Sequence, residues 1–313
     1  MAKSYEMDMC NGPILGKVLT YSIPLMLSGV LQLLFNAADV IVVGRFAGSQ
    51  SLAAVGSTSS LINLLINVFI GLSIGANVLV ARYYGAKNDR DMSETIHTAI
   101  TVSLMSGLFL VFLGLFTSRF WLELMGTPDD VIDKSTIYMR IYFAGMPATM
   151  VYNFGSAILR AIGDTKRPLY FLLVASFLNI GLDLVCIIVL NMGAFGAAFA
   201  TVFSQAVAGI GSLIYIMRHY PELRWNKEEG RISAPHCAKL CAMGLPMGLQ
   251  CSITAIGSVV LQGAVNGLGS DIVAAQTAGG KAAQFLSVPL ESIGTAMTTY
   301  TSQNMGAKDL DRV

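Results

Sequence analysis

The sequence predicts an all-α integral membrane protein, with a six-helix N-terminal lobe followed by the first two helices of a repeated C-terminal lobe. Three observations carry this. Of the 313 residues, 54% are hydrophobic and only 12% are charged, about half the charged fraction of an ordinary soluble domain. Several apolar stretches are long enough to cross a bilayer, which takes about 20 residues in a helix. Finally, short segments of the first half recur in order in the second, 221 residues later.

Helix 1 is expected over residues 15–43. Residues 18–38 contain no charged side chain, and Pro24 inside them removes one backbone donor and permits a bend. Residues 46–81 lack Asp, Glu, Lys and Arg; their start, Ala47-Gly-Ser-Gln-Ser51, has loop composition, which places helix 2 at 52–81. Helix 3 follows at 95–118. Residues 119–135 are mixed and acidic and predict a loop with at most a short interfacial turn. Helix 4 is expected at 141–159, bent at Pro147, and helix 5 at 168–190, opened by Pro168. Asn191-Met-Gly193 marks a tight turn before helix 6 at 194–217. Residues 218–235 form the longest polar stretch and predict a linker between a lobe at 1–217 and a partial lobe at 236–313. Helices 7 and 8 are expected at 238–266 and 272–303.

Eight crossings put both termini on one side. That side collects fifteen Lys and Arg residues against four on the other, with Lys281 left inside helix 8. The positive-inside rule then places both termini in the cytoplasm. Residues 1–13 lack the ordered basic, apolar and small-residue regions of a cleaved signal, so the first apolar segment is expected to insert and stay.

The repeat is carried by three matches. Gly48-Ser-Gln-Ser-Leu-Ala-Ala54 aligns with Gly269-Ser-Asp-Ile-Val-Ala-Ala275, Gly85-Ala-Lys87 with Gly306-Ala-Lys308, and Ile23-Pro-Leu-Met26 with Leu245-Pro-Met-Gly248. Each copy starts on the same side, so the repeat is direct, about an axis along the membrane normal. The second copy stops after two helices, so the chain is expected to be a fragment or an unusually short relative. Asp39 has Val260 as its counterpart, and the halves are not chemically equivalent.

A carboxylate at membrane depth costs about 2.5–3.5 kcal/mol on insertion scales and marks a functional site by default. Asp39 is such a residue, and Gln32 and Asn36 share its helix face. Solvation at the outer end of helix 1 is the plainer alternative. Asn179 and Asp183 stand four apart on helix 5, with Ser176 extending their face. Their oxygens suit a proton or a small hard cation, although interhelical hydrogen bonding also explains them. If Asp39 and Asp183 face one another, the pair cannot carry two charges without a proton or cation between them. Thr201 can add a hydroxyl ligand from helix 6. Asn63, Asn67, Asn153 and Gln205 are further cavity-lining candidates, and Lys281 and Glu291 have no assigned role.

Several classes are set aside. No Gly-x4-Gly-Lys-Ser/Thr loop is present to bind ATP. His97, His219 and His236 are dispersed, without a nucleophilic or metal-binding arrangement. His236, Cys237 and Cys241 form a loose H-C-x3-C cluster for which packing is the favoured role. The five cysteines do not form a disulfide framework, and no basic patch with interleaved aromatics suggests nucleic acid.

The combination of Ile23-Pro24, Asp39, the Gly48–Ala54 turn, Ala81-Arg-Tyr-Tyr-Gly-Ala-Lys87, Arg160-Ala-Ile-Gly-Asp-Thr-Lys-Arg-Pro168, Gly193-Ala-Phe-Gly-Ala-Ala198 and Gln303-Asn-Met-Gly-Ala307 resembles the multidrug and toxic compound extrusion (MATE) transporters. The resemblance implies two six-helix lobes, alternating access, and export of cationic or aromatic small molecules in exchange for H⁺ or Na⁺. It implies no enzyme activity, no cofactor or resident metal beyond the coupling ion, a monomer, and a plasma-membrane location. It also implies a cation site formed by Asp39, Asn179, Asp183 and Thr201, with Pro24 as the hinge of helix 1. The last four helices of the family pattern are absent from this sequence. A lipid-linked saccharide flippase of the same architecture and a non-transporting truncated membrane protein are the alternatives. The acidic or neutral character of helices 1, 2, 5 and 6 weighs against the flippase.

Overall fold

The computed structural model describes residues 7–125, 127, 129–219, 233–266 and 270–313. Nine α-helices occur among them: α1 (Ile14–Val42), α2 (Ser49–Gly85), α3 (Asp89–Leu124), α4 (Asp129–Ala144), α5 (Met146–Ala161), α6 (Lys166–Asp183), α7 (Gly193–His219), α8 (Ala234–Asn266) and α9 (Ser270–Ala307). Wider π-type turns continue α1 through Val43–Ala47 and α6 through Leu184–Val189. Among the described residues, six stretches meet the length and hydropathy needed to cross a membrane. Most of the 218–235 linker expected from sequence lies outside the described residues.

The helix α3 shows what solvent the fold is built for. Its large apolar side chains Leu104, Leu108, Phe112 and Phe116 point outward, while Ser103, Ser106, Gly107, Gly114 and Ser118 are buried. A soluble helix shows the reverse. Lipid solvates the large side chains, and small residues let the backbones approach inside.

One expected boundary is corrected. The loop expected at 119–135 is largely helical, because α3 runs on to Leu124 and α4 begins at Asp129. The segment looked like a loop because it is rich in charge. Its buried residues are Val131, Ile132, Ser135, Thr136, Tyr138 and Met139, with Asp133, Lys134, Ile137 and Arg140 exposed. That is a helical period, and periodicity outranks composition as a signal. The bend expected at Pro147 is a break: α4 ends at Ala144 and α5 opens at Met146, with Pro147 in its first turn, where a missing N–H does no harm.

The repeat is visible in the backbone. Lys87 and Lys308 both adopt positive φ, 53° and 60°. The amides of Lys87 and Asn88 donate to the Tyr84 and Tyr83 carbonyls, and those of Lys308 and Asp309 to the Met305 and Asn304 carbonyls. The same helix-ending turn is thus built twice.

The two helices of the second copy pack on the first lobe: α8 against α2, and α9 against α1 and α2. At the end of the bundle that carries both termini, a buried polar network joins them. Tyr21 donates to the Arg160 carbonyl at 2.8 Å and lies 3.1 Å from the Thr299 hydroxyl. Thr299 donates to Asn77 Oδ1 at 3.2 Å, and Asn77 Nδ2 donates to the Ala157 carbonyl at 2.9 Å. Gln303 donates to the Ala161 carbonyl and accepts the Met9 amide. This end is sealed by hydrogen bonds in a dry environment, where unmet partners are expensive. Asn77→Ala removes two buried hydrogen bonds, each worth about 0.5–1.5 kcal/mol. A lowered melting temperature of the purified protein in detergent is the expected result, and an unchanged one contradicts the role given to the network.

Candidate functional site

Between α1, α2, α4, α6 and α7 lies a cavity of about 460 Å³, with Gln284 of α9 on its rim. Its position follows from polar stripes on four apolar helices. Four-residue and three-residue steps put Gln32, Asn36 and Asp39 on one face of α1, and all three line the cavity. Asn63 and Ser59 come from α2, Ser176 and Asn179 from α6, and Thr201, Ser204 and Gln205 from α7.

Asp39 and Asp183 face each other across the α1–α6 contact, with their carboxyl groups within hydrogen-bonding reach. Asp183 is fully buried and lies behind the cavity wall rather than on it. Apart from this contact, Asp39 Oδ1 and both Asp183 oxygens have no hydrogen-bond partner among the described residues. Two carboxyl groups in such a place demand a proton or a cation between them, since burying like charges together is costly. Asn179 and Thr201 share the cavity wall with Asp39. Asn179 Nδ2 donates to Thr201 Oγ1 at 3.4 Å, and Thr201 donates to the Ala197 carbonyl at 3.0 Å. These donors are turned away, leaving Asn179 Oδ1 and a Thr201 lone pair to accept. Asp183 stands directly before one π-type turn and Asp39 four residues before the start of the other, a local geometry frequent at functional sites.

Two aromatic residues join the site that the sequence did not single out. Tyr138 and Tyr142 of α4 line the cavity and stack at 6.2 Å, and Tyr138 feels the charge of both carboxyl groups. Their four-residue spacing was the available signal, obscured because Tyr138 fell between the loop expected at 119–135 and the helix expected at 141–159. Phe35 and Phe177 add an edge-to-face pair at 5.6 Å where α1 meets α6.

The remaining candidates separate. A second cavity, of about 370 Å³, is lined by Gln32, Asn63, Asn153, Gln205, Arg160 and Glu291 among others. Gln32, Asn63 and Gln205 therefore belong to both chambers and Asn153 to the second alone. Asn67 lines neither. Pro24 is buried inside α1, and the Ser28 hydroxyl donates to its carbonyl at 2.8 Å. The structure does not describe the Lys281 side chain.

Comparison with known proteins gives a consistent result. The MatE family model matches residues 24–185 and 246–313. The probable multidrug resistance protein YoeA of Bacillus subtilis is 31% identical over 94% of this chain and 65% of its own length. The FAD transporter of Shewanella oneidensis is 24% identical over 96% of the chain and 67% of its own length. A solved structure described as the outward-facing conformation of a multidrug resistance MATE family transporter superposes with a TM-score of 0.91 at 26% identity, over 97% of this chain and 68% of that one. The chain thus spans about two thirds of the length of the relatives it matches. The family match runs through both copies of the internal repeat and includes Asp39 and Asp183, and on that ground the chain belongs to the MatE family.

Proposed function

We propose that the chain is the transporting lobe, with part of its twin, of a secondary active multidrug exporter that exchanges cationic or aromatic small molecules for H⁺ or Na⁺. The observation that carries this is the Asp39–Asp183 pair beside a drug-sized chamber. Cavities of about 300–1,000 Å³ suit such ligands. Among the described residues lining the larger cavity, Asp39 is the one carboxylate and no basic side chain occurs. Phe35, Tyr138 and Tyr142 supply ring faces that attract cations. The same lining does not suit a lipid-linked anionic saccharide, which calls for basic groups.

Mechanistically, Asp39 and Asp183 take up the ion while the chamber is open. Occupancy changes the hydrogen bonding of α1, which bends at Pro24, and weakens the hold on the exported molecule. Coupling requires that the ion bind the two states with different affinity. The network around Tyr21, Asn77 and Gln303 holds one end shut in the present state. With both termini cytoplasmic in the plasma membrane, that state is the outward-facing one. A monomer suffices, because one chain supplies the chamber's lining.

The test is uptake of an aromatic cation such as ethidium into proteoliposomes containing the chain, with an imposed proton or sodium gradient. Gradient-dependent accumulation is expected, and its cation dependence names the coupling ion. Absence of accumulation under both gradients overturns the reading.

A further inference from the structure

At the first turns of α3 and α8, three side chains from distant parts of the sequence converge. Asp91, Glu94 and His236 each offer one ligand atom, and the three atoms lie within 4.8 Å of one another. His236 Nε2 is 3.9 Å from Asp91 Oδ1, and His236 Nδ1 is 3.6 Å from Glu94 Oε2.

Each residue is tied down by one atom and free at another. Ser233 Oγ is 2.7 Å from His236 Nδ1. If it accepts the Nδ1 proton, the Nε2 lone pair is left available on the Asp91 side of the cluster. Asn88 Nδ2 donates to Asp91 Oδ2 at 2.8 Å, leaving Oδ1 free. Arg90 Nε donates to Glu94 Oε1 at 3.3 Å, leaving Oε2 free. His236 is 7% exposed, and its Nε2 is buried without a hydrogen-bond partner among the described residues. A ligating histidine is characteristically oriented through its other ring nitrogen, and ligating carboxylates through their second oxygen.

We propose that Asp91, Glu94 and His236 form a binding site for a divalent transition-metal ion of the zinc type. One imidazole nitrogen and two carboxylate oxygens suit zinc, with the fourth position left to water. Tetrahedral ligands on zinc stand about 3.3 Å apart, so the present cluster closes on the ion by side-chain rotations of about 1 Å. The helix N-termini oppose a cation with about half a charge each, but two full carboxylate charges outweigh them. Lys239 is diverted, donating to the Tyr83 hydroxyl at 3.2 Å. Glu94 and Asp91 belong to the first lobe and His236 to the partial second lobe. A bound ion therefore clamps the two copies together beside their linker and restrains movement of α8 against α3.

This pairing differs from the H-C-x3-C grouping in the sequence. The Cys237 and Cys241 thiols contact each other, and His236 turns to α3 instead. That contrast supplies the control.

The experiment is calorimetric titration of Zn²⁺ into the chelator-treated chain in detergent, followed by melting with and without the ion. One equivalent binds, and the ion raises the melting temperature. Affinity falls by more than the roughly 10–100-fold that loss of an outer-shell partner costs in His236→Ala and in Glu94→Gln, the latter sparing the α3 cap. The ion no longer stabilises either variant. Cys237→Ser/Cys241→Ser binds as the unaltered chain does. Absence of binding by the unaltered chain overturns the proposal, as does binding that survives both His236→Ala and Glu94→Gln, or that is lost only with the cysteines.

Discussion

Asp39→Asn or Asp183→Asn lowers ion-driven accumulation of substrate by about 5–150-fold, the span of a coupling free energy of about 1–3 kcal/mol. The substitution keeps the shape of the side chain and its capacity to hydrogen-bond. It removes the second charge, so the pair no longer needs an ion to be stable where it stands. The chamber then binds substrate whether or not a gradient is imposed, because nothing distinguishes the two states by ion occupancy. Equilibrium binding of the aromatic cation is retained while its uphill movement is lost. The measurement is gradient-driven uptake beside a binding isotherm on the same preparation. Uptake equal to that of the unaltered chain removes Asp39 and Asp183 from the coupling site.

Gly75→Leu separates the lobes and destabilises the protein at or above the top of the range of about 1–3 kcal/mol that overpacking costs. The reason is the closeness of α2 and α8. A Cβ placed on Gly75 would stand 2.8 Å from the Gly244 amide nitrogen and from the Leu240 carbonyl oxygen. One placed on Gly244 would stand 2.6 Å from Leu72 Cα, and Gly71 meets the backbone of Gly248 in the same way. These neighbours are backbone, which has no rotamer with which to yield. Membrane helices lack a hydrophobic drive to associate and depend on such close packing. The control is Gly257→Leu, further along α8, where a Cβ meets nothing within 4 Å. Melting of the purified variants in detergent should show a large loss for Gly75→Leu and little change for Gly257→Leu. Equal behaviour of the two would contradict the close-packed interface.

The membrane class, the repeat and the individual polar stripes were legible because each is a local property of the chain. Asp39 with Gln32 and Asn36, and Asp183 with Asn179, follow from helical spacing alone. That Asp39 meets Asp183 does not, since it depends on how α1 lies against α6. Charge misled the expectation at α4, whose charged residues hid the helical period of its first turns; with the next helix expected to start only at 141, Tyr138 and Tyr142 were not placed on one element. Asn67 had the right spacing from Asn63 but lies outside both chambers, because the wall of the second follows Asn63, Ile66 and Ile70 along α2 and Asn67 is turned off that face. The Asp91–Glu94–His236 cluster was invisible for a different reason. Its members come from α3 and α8, helices distant in sequence, and the adjacent cysteines offered a more obvious grouping.

The π-type turns after Asp39 and Asp183 bear on how a rigid bundle can change the contents of its chamber. Each such turn holds one residue more than an α-turn. Relaxing it to α geometry rotates the helix on one side by about 100° relative to the other, the angle of one residue at 3.6 per turn. Val43–Ala47 and Leu184–Val189 pack against each other, so the two relaxations are mechanically linked, like meshed gears. A swivel there would carry Asp39, Asn36 and Gln32 off the chamber wall together without breaking a single helix.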